Sequence, residues 1–311
     1  MSVLDLGSSS FQLALFAIGG STPRLLHRGV EFARLASHLR ANGEITARGI
    51  ANGVACVQRL MSTALPQSHQ APLVAVATGA IRESTNGQLF LDTVQHTAGV
   101  RAHVISGESE ATLAYTGAAA FLDNREEESR VVVDLGGGST EIALGVGRKV
   151  IQASSVNLGV LDIVERLASM PNTANLALEQ LAVFVRRSLE PTVDQLSPTP
   201  TSRLIFASGV ARVIRDLIHT YTLNSEDDEI LGRTLRDLIP KILDSSPDDL
   251  RRRGVPEKRL QSAGPTAVVL NVIADLLEAD RFTVSDGGLR QGVALNSAKF
   301  VPQSWPKPDS S

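Results

Sequence analysis

One stretch of this chain occurs twice, in ungapped alignment and 129 positions apart: Asp5-Leu6-Gly7-Ser8-Ser9-Ser10-Phe11-Gln12-Leu13-Ala14-Leu15 and Asp134-Leu135-Gly136-Gly137-Gly138-Ser139-Thr140-Glu141-Ile142-Ala143-Leu144. Each copy reads strand, D-L-G-x-x-S turn, strand. A spacing this long does not suit a solenoid unit but suits a duplicated domain. Whatever order of elements follows the first copy must then recur after the second.

The recurrence is legible. After the first copy come strand-like runs at Phe11 to Ile18 and Arg24 to Ala33, a helical pattern from Thr46 to Leu65 and a strand Leu73 to Ala77. A helix Gly87 to Ala98, a strand Ala102 to Ile105 and a helix Gly107 to Leu122 complete the half. After the second come strands Glu141 to Val146 and Val150 to Val156, helices across Val160 to Leu189 and a strand Leu204 to Ala207. A longer helical region runs to Leu277, followed by a strand Phe282 to Ser285 and a helix from Leu289. Both halves fit β-β-β-α-β-α-β-α. The acidic run Asp123 to Arg130 breaks all periodicity; it reads as the boundary between a first domain, residues 1–123, and a second, residues 124–311, with a solvated loop inside one domain as the alternative. Pro191 to Ser202 reads as a surface loop, and residues 302–311 as a disordered tail.

Composition narrows the class. With 311 residues, 43% hydrophobic and 20% charged, the profile is that of a soluble globular protein with more than one core. No apolar run approaches the roughly 20 residues of a membrane span, and the start MSVLDLG lacks a basic region ahead of an apolar one. A cytoplasmic protein with no membrane partner is expected. A net charge of −3 argues against nucleic acid as a partner. The single cysteine, Cys56, has no disulfide partner, and the six histidines, among them His27, His103 and His219, show no ligand spacing.

A strand that ends in glycines lets backbone N–H groups face outward without Cβ interference, and such groups bind phosphate oxygens. Gly7, Ser8, Ser9 and Ser10 form one candidate cradle, and Gly136, Gly137, Gly138 and Ser139 the other. Asp5 and Asp134 at the strand ends place negative charge where phosphate would sit. That is sensible only with a divalent cation between them, Mg²⁺ (or Mn²⁺) with several waters retained. The turns match neither the GxxxxGK[ST] loop nor the GxGxxG fingerprint, since no lysine follows and each turn opens a strand. A simple tight hairpin with the acids capping turn amides would explain one copy alone; two copies at equivalent places favour function.

The paired turns resemble the actin, Hsp70 and sugar-kinase superfamily. Four further stretches, Val76 to Arg82 with Asn86, Ile105 to Ala111, Asp134 to Glu141 and Ser285 to Gly292, resemble the exopolyphosphatase/guanosine pentaphosphate phosphohydrolase (Ppx/GppA) family, in that family's order and from Val3 to about Asn296. The resemblance implies an α/β fold of two ribonuclease-H-like domains with an interdomain cleft. It implies a homodimeric hydrolase that removes the terminal phosphate of inorganic polyphosphate, of guanosine pentaphosphate, or of both, with Mg²⁺. Longer members carry a further helical domain, so a chain ending at Ser311 resembles the short form. Departures bear on substrate and rate: Ser9 stands for the usual Asn, Thr112 for Arg, Val210 for Thr and Gln291 for an acid.

Roles follow from the match. Glu108 and Glu110 are about 200° apart on a helix, so at most one faces the site; the resemblance selects Glu110 as the base for the attacking water. Arg82 suits bidentate contact to phosphate oxygens, and Glu141 either holds the metal's waters or hydrogen-bonds Ser139. Ser208 and Gly209 resemble a third glycine turn, with a plain helix N-cap as the alternative. Arg290 adds charge at the far cleft wall or covers surface, and the run Arg251-Arg252-Arg253 with Lys258 and Arg259 suggests a polyphosphate track against the commoner solvated face. Two other classes remain open: a superfamily kinase or ATPase, which would present an aspartate base, and a weakly catalytic sensor of guanosine tetra- or pentaphosphate.

Overall fold

The computed structural model describes residues 1–20, 22–68, 71–122, 125–169, 174–199, 201–223 and 229–300. Contacts group Met1–Ser106 with the segment from Arg290 as one unit and Gly107–Leu289 as a second.

In the first unit, β1 (Ser2–Leu6) is buried along its whole length because it lies mid-sheet, antiparallel to β2 (Phe11–Ala17) and parallel to β4 (Leu73–Ala77). The strand β3 (Arg24–Glu31) pairs with β2, and β5 (Ala102–Val104) with β4, giving the order β3-β2-β1-β4-β5. Three helices lie in the same unit: α1 (Ala47–Ser68), α2 (Gly79–Glu83) and α3 (Gly87–Ala98). Side chains alternate along a strand. Leu4, Leu6, Phe11 and Leu13 therefore share one face and pack on Val57, Leu60, Phe90 and Val94 of α1 and α3. Asp5 and its cross-strand partner Gln12 fall on the other face.

The second unit repeats the pattern with additions. It comprises α4 (Gly107–Ala119), β6 (Ser129–Leu135), β7 (Thr140–Val146), β8 (Lys149–Val156), α5 (Val160–Ala168), α6 (Ala174–Leu196), β9 (Arg203–Phe206) and α7 (Gly209–Thr222). After these come β10 (Glu229–Leu231), α8 (Gly232–Asp244), α9 (Pro247–Arg252), α10 (Leu260–Leu276), β11 (Arg281–Val284) and α11 (Leu289–Leu295), the last passing into the first unit's residues. Its sheet order, β10-β11-β9-β6-β7-β8, is the first unit's order with one extra antiparallel edge strand. Val131, Val133 and Leu135 of β6 face a core built with α6, α7 and α10. Val132 faces the alanines of α4, whose small side chains let helix and sheet approach closely. The expected architecture of two ribonuclease-H-like domains is thus present.

Several details depart from expectation. Although α4 closes the first repeat in sequence, it belongs to the second unit, because Ala111, Tyr115, Ala118 and Ala119 pack against β6, β7 and β9. The boundary expected between residues 123 and 124 and the tail 302–311 lie outside the described residues. Pro191 is inside α6 rather than opening a loop. One helical hydrogen bond is lost there, but Leu189, Val193 and Leu196 on either side are buried and hold the helix through it. The long helical region before Leu277 contains β10, too short for alternation to show. The basic run does not form a free track: Arg251 pairs with Asp248 and Glu257, Arg252 with Asp249, and Arg253 lies over the Tyr221 ring at 3.9 Å. Among the described residues no helix is long and apolar enough to cross a membrane.

At the far end of β6 a buried cation is held in place. The Arg130 side chain is 1% exposed and donates from Nε to Glu128 at 2.8 Å and from Nη1 to the Gly147 carbonyl at 3.1 Å. Tyr115 donates to the same carbonyl at 3.0 Å. Burial pushes the Tyr115 phenol up to about 12. Gly147 turns β7 into β8 at φ +57°, a conformation suited to glycine, and a Cβ there would meet the Glu126 carbonyl oxygen at 2.5 Å. Glu128→Ala leaves the Arg130 charge buried without its carboxylate and is expected to cost about 3 kcal/mol. A lower urea midpoint at unchanged m-value checks this.

Candidate active site

The two repeated turns are built alike. In the second unit, Gly136 N–H bonds Ser139 O at 2.9 Å, closing the turn between β6 and β7. The first residues of α5 then take the turn's carbonyls: Val160 N–H donates to Gly136 O at 3.0 Å and Leu161 N–H to Gly137 O at 2.9 Å. In the first unit, Arg34 N–H donates to Ser9 O at 2.8 Å and Ala36 N–H to Ser8 O at 3.1 Å. With the carbonyls occupied, the amides of Ser8, Ser9 and Ser10, and of Gly137, Gly138 and Ser139, donate to no acceptor among the described residues. A run of such donors is an anion-binding concavity.

Gly159 makes the second turn possible, and the sequence reading passed over it. A Cβ on Gly159 would lie 2.3 Å from the backbone of Gly137 and Gly138, so any side chain there displaces the cradle. Its N–H is held by the Asp162 carboxylate at 2.8 Å, the spacing of a capping box, which was the available signal.

Around this cradle stand three acids. Asp134 is the next-to-last residue of β6 and lies opposite Glu141 on β7. Glu141 is 3% exposed and accepts from the Ser155 hydroxyl at 2.8 Å. Burial raises the Glu141 carboxyl well above the usual carboxylate range, and the neighbouring Glu110 and Asp134 push it the same way, against hydrogen bonds from Ser139 and Ser155. Glu110, in the first turn of α4, is 7% exposed while Glu108 is exposed, so the helix turns one acid inward. The sequence resemblance named all three, but only the fold shows that they repel one another.

The remaining residues sort by unit. Ser8 is buried and its hydroxyl oxygen accepts from Ala80 N–H at 2.9 Å, which ties the first turn to the short helix carrying Arg82. The Arg82 guanidinium donates to the Ile105 carbonyl at 3.2 Å and lies 3.6 Å from Glu83. Asn86, a motif residue without an assigned role, accepts from Ile45 N–H at 2.8 Å and donates to Ile45 O at 3.0 Å, so it anchors a loop. Asp5 stands in an ion pair with Arg290 at 3.6 Å; neither side chain is more than 11% exposed, so Arg290 does not merely cover surface. Ser208 caps α7, accepting from Ala211 N–H at 3.0 Å, and Gly209 has the Arg212 guanidinium 3.7 Å from where its Cβ would be.

No three or more His, Cys, Asp and Glu side chains among the described residues are arranged to hold a metal ion by themselves. Magnesium rarely needs such a cage: it keeps waters and takes one or two carboxylates together with substrate phosphates. The crowded acids Asp134, Glu141 and Glu110 fit that demand, because a divalent cation would relieve the repulsion that burial sharpens.

The raised Glu141 carboxyl gives a sign. Folding prefers the protonated form, so this residue's unfavourable contribution is absent below the unfolded carboxylate range and grows as pH rises toward the folded value. Glu141→Gln is therefore expected to melt above wild type at neutral pH, by roughly 2–4 °C for each kcal/mol relieved, and to converge with it at low pH. Added Mg²⁺ should raise the wild-type melting temperature more than that of Glu141→Gln. Gly159→Ala is expected to abolish phosphate binding measured by calorimetry, through displacement of the turn.

Comparison with known proteins bears on the family and the fold. The model of the Ppx/GppA phosphatase family matches residues 15–300. Among solved structures, the Aquifex aeolicus Ppx/GppA family member is similar at 22% identity and TM-score 0.77, covering 96% of this chain and 97% of that one. An exopolyphosphatase from Cytophaga hutchinsonii is similar at 19% identity and TM-score 0.80, over 97% of this chain and 98% of that one. At such identities these two likenesses speak to the fold alone. The family match, spanning nearly the whole sequence and the second turn with its three acids, places the chain in the Ppx/GppA phosphatase family.

Proposed function

We propose that this phosphatase removes the terminal phosphate of inorganic polyphosphate as orthophosphate, with Mg²⁺ (or Mn²⁺) as cofactor. The observation that carries it is the run of amides at Gly137, Gly138 and Ser139, without acceptors among the described residues, beside the acids Asp134, Glu141 and Glu110. Phosphoryl transfer asks the protein for positioning and charge neutralisation rather than covalent work.

In this reading the turn amides hold phosphate oxygens, and Asp134 and Glu141 would hold the cation, which when bound neutralises charge on the transferring group. Glu110 orients a water and takes its proton as the water oxygen bonds phosphorus and the anhydride bond breaks. Arg82, whose guanidinium donates to the Ile105 carbonyl, is the first unit's candidate for contact with phosphoryl oxygens. A glutamate base speaks against the kinase reading. At the Ser208-Gly209 turn the Arg212 guanidinium donates to the Ala207 carbonyl at 3.3 Å and the Ser285 carbonyl at 3.1 Å. Guanosine pentaphosphate is the alternative substrate that the family resemblance offers. The family resemblance adds a homodimer, and the composition adds a cytoplasmic setting.

The test is a side-by-side rate measurement with Mg²⁺ on short and long polyphosphate, guanosine pentaphosphate and ATP. Polyphosphate is expected to turn over fastest, and Glu110→Gln to lose roughly 10²- to 10⁴-fold in kcat with substrate binding kept. ATP turnover coupled to an alcohol acceptor, with polyphosphate and guanosine pentaphosphate left intact, would refute the proposal.

A further inference from the structure

The acid of the first turn is placed differently from the acid of the second. Asp134 sits among carboxylates, whereas Asp5 faces Arg290 at 3.6 Å, with both side chains 11% exposed. The surroundings of Asp5 extend this array. Its cross-strand neighbour Gln12 donates to the Ser10 hydroxyl at 3.4 Å and accepts from the Arg28 guanidinium at 3.1 Å. Arg28 is also close to Arg290: partial burial, then the charge of Arg290, makes it hold its proton less tightly than usual. Two guanidinium groups and one carboxylate therefore meet on one sheet face, next to a turn whose Ser8, Ser9 and Ser10 amides have no acceptor among the described residues.

An isolated carboxylate beside an anion-binding turn repels the anion. A carboxylate that fixes an arginine does the opposite, because guanidinium offers five donors and one counter-ion leaves the others to a ligand. We propose that Asp5 is the counter-ion that positions Arg290, with Arg28 beside it, so that these two arginines receive a phosphate group presented to the first turn. The proposal rests on the phosphoanhydride reading and departs from the expectation of Asp5 as a metal ligand. Arg290 touches the anion; Asp5 acts through Arg290.

The sign of one measurement separates the roles. Tripolyphosphate binding is measured by calorimetry with excess chelator, so that no cation contributes. Asp5→Asn removes a negative charge and by simple electrostatics should tighten binding; the proposal expects it to weaken roughly tenfold or more, the worth of an oriented charged hydrogen bond. Arg290→Gln should weaken binding similarly, Arg290→Lys should recover part of it, and the double variant Asp5→Asn/Arg290→Gln should be no weaker than Arg290→Gln alone. The Mg²⁺ midpoint for turnover should be the same in Asp5→Asn and wild type. If Asp5→Asn does not fold, Arg290→Gln and Arg28→Gln must each weaken chelator-resistant binding at a temperature well below the variant's own melting midpoint.

Wild-type or tighter metal-free binding by Asp5→Asn, or a displaced Mg²⁺ midpoint with unchanged metal-free binding, overturns the proposal while leaving the phosphatase reading standing. Absence of both binding and hydrolysis of every phosphoanhydride in the wild type removes the two together.

Discussion

Each of the two candidate turns depends on which of its own backbone groups are already satisfied. A glycine turn at a strand end has carbonyls and amides in equal number, and left alone it could close on itself. Here the segment after the third strand of each repeat donates its own amides to the turn carbonyls: Arg34 and Ala36 in the first unit, Val160 and Leu161 in the second. The turn amides are thereby left over as donors. Leftover backbone donors of this kind suit an acceptor from outside the chain.

Charge around the turns then differentiates two copies of one motif. In the second unit burial, then the charges of Glu110 and Asp134, push the Glu141 carboxyl well above the usual carboxylate range. In the first unit the matching aspartate is balanced by Arg290. A duplicated element has kept its place at a strand end while its electrostatic surroundings differ, carboxylates around one turn and an arginine against the aspartate of the other. Helix α4 serves the second arrangement through its composition: alanines let it lie close on β6 and β7, which brings Glu110 within electrostatic reach of Glu141.

Scaffold features support this division without taking part in it. Ser8 links the first turn to the helix of Arg82, Asn86 pins the loop at Ile45, and the buried Arg130 with Glu128, Tyr115 and Gly147 locks the opposite end of β6. The arginines at 251–253, which suggested a track, are consumed by Asp248, Asp249, Glu257 and Tyr221 within their own segment. A charge run is informative only once its neighbours in space are known.

The duplicated turn, the strand alternation around it and the order of elements were legible in the amino-acid sequence, because each depends on neighbours within a few residues and on a repeat that shows itself. The strand Leu73–Ala77 and the helix Gly87–Ala98 fell where the pattern put them for that reason. Other features were decided only by tertiary contacts: that α4 belongs to the second unit, that Pro191 stays helical, that Gly159 must lack a side chain, and that Asp5 meets an arginine 285 positions away. Each turns on which surfaces are buried together, and burial is a property of the folded chain. Residue types and local spacing therefore determined the fold class and the chemistry available, whereas packing decided which charges meet and which backbone donors remain to be used.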